Sequence, residues 1–352
     1  DQRGPYNFDL PGGTAFSDGL SNDGTLINPE SRWGGIMKSL NTNDFQAANI
    51  EFLEFWMMSP YLNPTDGGNS PNDKAPSGDM DGDIYIEFGN ISEDILRDSR
   101  KFFENGLPGP NNSGRRTART SWGQVPLSLQ ITNAFDIDPD NREAQDVGLD
   151  GLSDFRERQH FDWYLDALQN SSLNPAELDT IRMDPSNDNF VHFRDDIYNQ
   201  IDNPSVYTRY SRFFGTENNT PNQTGNQGLS TASSTQPDTE DLDGDRTLNE
   251  TESYFQYRVP VNFDQTGNGG IRTEDNPYIT ESITAVENGV RRIWYRFRVP
   301  LMDRAESDTD FKQVGGIRDF RSIRFMRMYF KNFEAKMHFR FATLELVRNQ
   351  WR

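Results

Sequence analysis

Oxygen-bearing side chains alternate along one short stretch of this chain. Asp241, Asp243, Asp245, Thr247, Asn249 and Glu252 fill positions 1, 3, 5, 7, 9 and 12 of a twelve-residue loop. A hard cation such as calcium takes about six to eight oxygens, and alternate side chains of a tight loop deliver them, the last acid binding through both its oxygens. The pattern departs from the EF-hand loop in carrying Gly244 at position 4 and Arg246 at position 6, where glycine is preferred. The chemistry is calcium binding; the plainer alternative is an acidic surface turn in an acidic protein. A second set, Asp146, Asp150, Gly151, Asp154 and Glu157, falls at positions 1, 5, 6, 9 and 12 of a similar loop, although Gly148 at position 3 offers no side chain. Calcium fits it, and so does a plain helix start, where Asp154 and Glu157 favour the helix dipole. Acid triplets also occur at 136–140 and 79–83, and the latter leads straight into a strand and reads as a polar turn.

Catalytic patterns are lacking by comparison. His160, His192 and His338 show no zinc-type spacing, there is no cysteine, and no nucleophile elbow, phosphate loop or dinucleotide fingerprint is present. The chain is expected not to be an enzyme. Trp56, Trp122, Trp294 and Trp351 could serve as sugar platforms, but aromatic residues on strands more often fill a core.

The elements that must position the acidic loops are strands. FRSIRFMRMYF at the C-terminal end is apolar on both faces apart from Arg321, Arg324 and Arg327, as suits a central strand. In the run after it Met337, Phe339 and Phe341 alternate with Lys336, His338 and Arg340, the period of a strand with one face buried. An echo lies far upstream, where Asp44-Phe45 leads into NIEFLEFWMM as Asp319-Phe320 leads into SIRFMRMYF. Further strands are expected at Ile50–Met58, in DIYIEFGN, at Tyr254–Val261 and at Arg291–Leu301. RWGGIMKSL is a short apolar run whose Gly34 and Gly35 permit close approach.

Between these runs the text changes. ISEDILRDSRKFF reads as a helix capped by Ser92, another helix is expected from Asp154 to about Gln169, and a third opens at Asn174-Pro175-Ala176-Glu177 with cap, proline and capping-box acid in place. Residues 108–126 read as loop, and 216–240 as a polar crossing segment. The expected fold is therefore mainly β: a jelly-roll-like antiparallel β-sandwich with a large loop and helix insertion. Its parts are an irregular lead-in over 1–31, a sandwich over 32–90 and 254–352, and an inserted region over 91–253 carrying the calcium-type loops. The order of runs resembles the jelly-roll of carbohydrate-binding modules, a shape that hosts other functions too.

Charge excludes some partners. The 352 residues carry a net charge of −20, with 15 Lys+Arg against 7 Asp+Glu from Arg291 to Arg352. An acidic body repels nucleic acid and anionic lipid. The arginines of the basic end are expected to alternate outward along strands and to meet the acidic insertion. No apolar run is long enough for a membrane helix, and the chain opens without a signal-like segment, so it reads as a mature product or an excerpt of something longer.

RWGGIM, ANIEFLEFWMMSP, GDIYIEFGNISEDIL, DVGLDGLSD, NPYITESI and FRSIRFMRMYFKNF together resemble the SprA (Sov) family, the outer-membrane translocon of the type 9 secretion system of Bacteroidota. The resemblance implies an internal segment of a very large β-barrel that exports folded cargo and gliding adhesins. Partners would be other segments of the barrel, lateral-gate and plug proteins, and the exported cargo, at the outer membrane. A calcium-stabilised carbohydrate-binding module of a surface protein is the competing expectation.

Overall fold

The computed structural model describes residues 5, 19–23, 25–60, 80–94, 98–102, 107, 116–127, 150–189, 196–202, 208–209, 241–245, 247–264, 270–274, 276–287, 290–302, 304–305, 307–335 and 337–348. Asp146, Arg246, His192, Trp351, the triplet at 136–140 and the polar segment at 216–240 lie outside them. The chain divides into two compact units, residues 28–91 with 251–352, and residues 1–27 with 92–250. No helix among the described residues is long and apolar enough to cross a membrane.

The first unit is a sandwich of two antiparallel sheets. Its strands are β1 (Trp33–Ser39), β2 (Ile50–Met58), β3 (Gly82–Asn90), β6 (Ser253–Val261), β7 (Ile279–Glu287), β8 (Val290–Pro300), β9 (Phe311–Val314), β10 (Phe325–Lys331) and β11 (Arg340–Arg348); β4 (Thr117–Arg119) and β5 (Gln124–Pro126) belong to the other unit. One sheet has the order β1-β10-β3-β6-β9 and the other β11-β2-β8-β7, so the chain crosses repeatedly between them. Alternation drives this. Phe255, Tyr257, Val259 and Val261 of β6, Ile84, Ile86 and Phe88 of β3, and Leu53, Phe55 and Met57 of β2 point inward and merge in a single core. Phe55 stacks on Phe297 at 5.0 Å, Phe330 and Phe341 meet at 6.0 Å between the sheets, and the buried Tyr257 hydroxyl donates to the Leu301 carbonyl at 2.6 Å.

β10 is central, flanked by β1 and β3, as its two apolar faces suggest. Gly35 lets β1 lie against it, because a Cβ at Gly35 would come within 2.7 Å of Tyr329. The last strand starts later than the alternation at 336–341 implies: residues 337–339 are not strand, and β11 begins at Arg340. Met337 and Phe339 pack on the core from outside the ladder, so their apolar period reflects burial without strand pairing.

The arginines find both kinds of partner. Among the described residues Arg327 holds Glu252, which falls within the inserted region as bounded from sequence, and also pairs with Glu87, while Arg298 pairs with Glu54 and Arg296 with Glu281. Strand register sets the pairs with Glu87, Glu54 and Glu281, each directly opposite its arginine across a ladder.

The second unit holds the helices α1 (Asp154–His160), α2 (Asp162–Gln169) and α3 (Pro175–Met183), and a hairpin of β4 (Thr117–Arg119) and β5 (Gln124–Pro126). The expected single helix over 154–169 is broken at Phe161, whose φ of −105° and ψ of 29° leave the helical region. The break buries Phe161 and Tyr164 with Leu165 and Leu168 and leaves Phe155 63% exposed. At α3 the capping box is complete: Asn174 accepts from the Glu177 amide at 2.9 Å, and Glu177 accepts from the Asn174 amide at 3.2 Å. The helix expected in ISEDILRDSRKFF is absent from described residues 91–94 and 98–102. There Ser92 closes a local turn by accepting from the Asp94 amide, and Glu93 is drawn inward. Residues 117–119 and 124–126, expected as loop, pair as the small hairpin.

Candidate metal centres

Both acidic loops become carboxylate clusters, with memberships different from those the spacing suggested. The second loop makes the denser one. Asp150 sits at the turn before α1, α1 carries Asp154 and Glu157, and the turn after α3 brings in Asp184 and Asp188. One oxygen each of Asp150, Glu157 and Asp188 lies within 4.8 Å of the other two, and the same holds for Asp154, Glu157 and Asp184. Glu157 belongs to both triads. Asp150 and Glu157 are fully buried and Asp188 is nearly so.

The backbone around this cluster is built to hold it. Gly151 has a φ of 72°, open to glycine at little cost, and a Cβ there would lie 2.1 Å from the Gln124 carbonyl. The Gln124 amide in turn donates to the Asp150 carbonyl at 2.7 Å, which pins the turn against β5. Ser186 donates from its hydroxyl to Asp150 at 2.6 Å and from its amide to Glu157 at 3.0 Å. Asn189 bridges to Asp154 at 2.8 Å, and the Asp188 amide donates to Asp184 at 3.1 Å.

These donors are neutral. Burial, then the neighbouring carboxylates of Asp188, Asp184 and Asp154, push the Glu157 carboxyl up to about 8, against a partial lowering by the Ser186 amide. Several carboxylates in one buried space repel unless a proton or a cation joins them. The donors are all oxygen, with neither sulfur nor imidazole in either triad, which suits calcium and disfavours zinc. The residues present fit such an ion.

The first loop is reorganised more. Asp241 and Asp243 converge with Glu93, again with one oxygen from each inside 4.8 Å. Glu93 accepts from the Leu242 amide at 2.6 Å and from the Asn249 side chain at 2.6 Å, and burial pushes its carboxyl upward. Asp245 and Thr247 turn toward each other, the Thr247 amide donating to Asp245 at 2.8 Å. Glu252, the expected bidentate ligand, takes the Arg327 guanidinium through both oxygens at 3.3 and 3.2 Å. Of the six spaced residues, then, Asp241 and Asp243 enter a cluster, Asn249 orients Glu93, and Glu252 serves the sandwich.

Glu93, Asp184 and Asp188 were missed from sequence. Glu93 lies 148 positions before Asp241 and directly follows Ser92, the expected helix cap. Asp184 and Asp188 stand in DPSNDN, a turn-like run just past α3, which is the one local signal that could have pointed to them.

The three described tryptophans among the sugar-platform candidates are buried or half-buried. Trp122 is buried, the Arg296 guanidinium lies over Trp56 at 5.9 Å, and Trp294 is half-buried. The exposed Trp33 meets Tyr329 edge-on, while Tyr329 and Tyr85 spend their faces on each other at 4.8 Å.

The fold and its clusters define a mainly β protein with a helical second unit rich in buried carboxylates. Residues 163–352, more than half of the chain, match the family model SprA_N, described as a motility related/secretion protein, and the chain belongs to that family. No curated protein matches it.

Proposed function

We propose that this chain is a non-enzymatic structural and interaction segment of an outer-membrane translocon of type 9 secretion, stiffened by calcium in its helical unit. Membership of a motility and secretion family supports the setting, and the single observation that carries the calcium role is the buried Asp150–Glu157–Asp188 triad. Asp150, Glu157 and Asp188 would hold an ion, with Asp154 and Asp184 flanking it at the shared Glu157; Asp241, Asp243 and Glu93 would hold another. Bound there, calcium would supply charge compensation and rigidity and no bond-breaking chemistry. Exported cargo, other barrel segments and the gate and plug proteins are the partners this role implies, at the cell envelope.

The test is made in the full-length protein. Asp150→Asn with Asp188→Asn should reduce export of cargo while the protein still reaches the outer membrane. Undiminished export in a strain whose protein lacks residues 28–352 would overturn the role in secretion.

A further inference from the structure

We draw no further inference here: the strongest candidate, the exposed β7–β8 hairpin arm with Ile283 and Val286 outward beside Arg291 and Arg292, is a sheet edge with no strand partner among the described residues, and nothing in the structure shows what covers it.

Discussion

Phe45 and Phe320 are bound to each other. The Phe45 amide donates to the Phe320 carbonyl at 2.8 Å, and their rings lie nearly parallel with centroids 6.3 Å apart. Close by, the Ile323 amide donates to the Asn43 carbonyl at 2.8 Å, so the two Asp-Phe echoes of the sequence close on one another at the ends of β2 and β10. Phe320 also stacks on Phe255 at 4.0 Å, and Phe45 meets Phe88 edge-on at 5.5 Å. Fully buried Phe45 is thereby a junction between segments far apart in the chain. Phe45→Ala should cost about 3–5 kcal/mol of sandwich stability in denaturant unfolding. A loss under 1 kcal/mol would show that the junction is dispensable.

Glu87 is buried at 1% side-chain exposure, opposite Arg327, which is itself only 26% exposed and also holds Glu252. Removing the cation strands a carboxylate in the sheet. Arg327→Met alone should destabilise by about 3–5 kcal/mol, whereas Arg327→Met with Glu87→Leu should recover most of that loss. A double variant as unstable as the single one would contradict this, as read by urea midpoints.

The capping box at α3 predicts a smaller effect. Asn174→Ala should cost about 1 kcal/mol, and Asn174→Asp should cost much less, since aspartate caps equally well. Equal losses for the two would mean that the cap hydrogen bond contributes nothing.

Strands with an inward and an outward face were legible in the sequence because period-2 burial is a local signal: β2, β3, β6 and β8 stand where alternation put them. β9 was not, since Phe311 is the only buried residue of its four. The capping box at α3 was legible for the same local reason. Charge pairing and cluster membership were not. Which acid meets Arg327 depends on the register of β10 against β3, and which acids join Asp241 depends on a residue 148 positions away. The spacing of 241–252 pointed to oxygen ligands but could not reveal that Glu252 would serve Arg327.

Glu157 makes the helical unit sensitive to pH. Its carboxyl, ordinarily near 4.5, is pushed up to about 8 by burial and by Asp188, Asp184 and Asp154. The folded chain thus holds a proton that the unfolded chain has released, and stability falls as pH rises from about 4.5 toward 8, levelling above it. In chelator, the melting temperature should decline across that window, and Glu157→Gln should flatten the decline. With calcium present the slope should shrink, because the ion takes the place of the proton. A flat profile in chelator would remove the electrostatic argument.

Glycan arrays are expected to show no binding, because Trp56 lies under the Arg296 guanidinium and Tyr85 and Tyr329 stack on each other. Micromolar binding lost on Trp33→Ala would instead favour the carbohydrate-binding reading.

Calorimetric titration of calcium into chelator-stripped protein tests the central claim most directly. Binding in roughly the 10⁻⁴ to 10⁻³ M range typical of extracellular calcium modules is the expected result. At about ten times the dissociation constant the ion adds RT ln 11, about 1.4 kcal/mol, and raises the melting temperature by a few degrees. Asp150→Asn with Asp188→Asn should abolish one set of sites, Asp241→Asn with Asp243→Asn the other, and magnesium should substitute poorly. No heat of binding, together with a melting temperature unchanged by calcium, would contradict the account and leave both clusters as acidic turns.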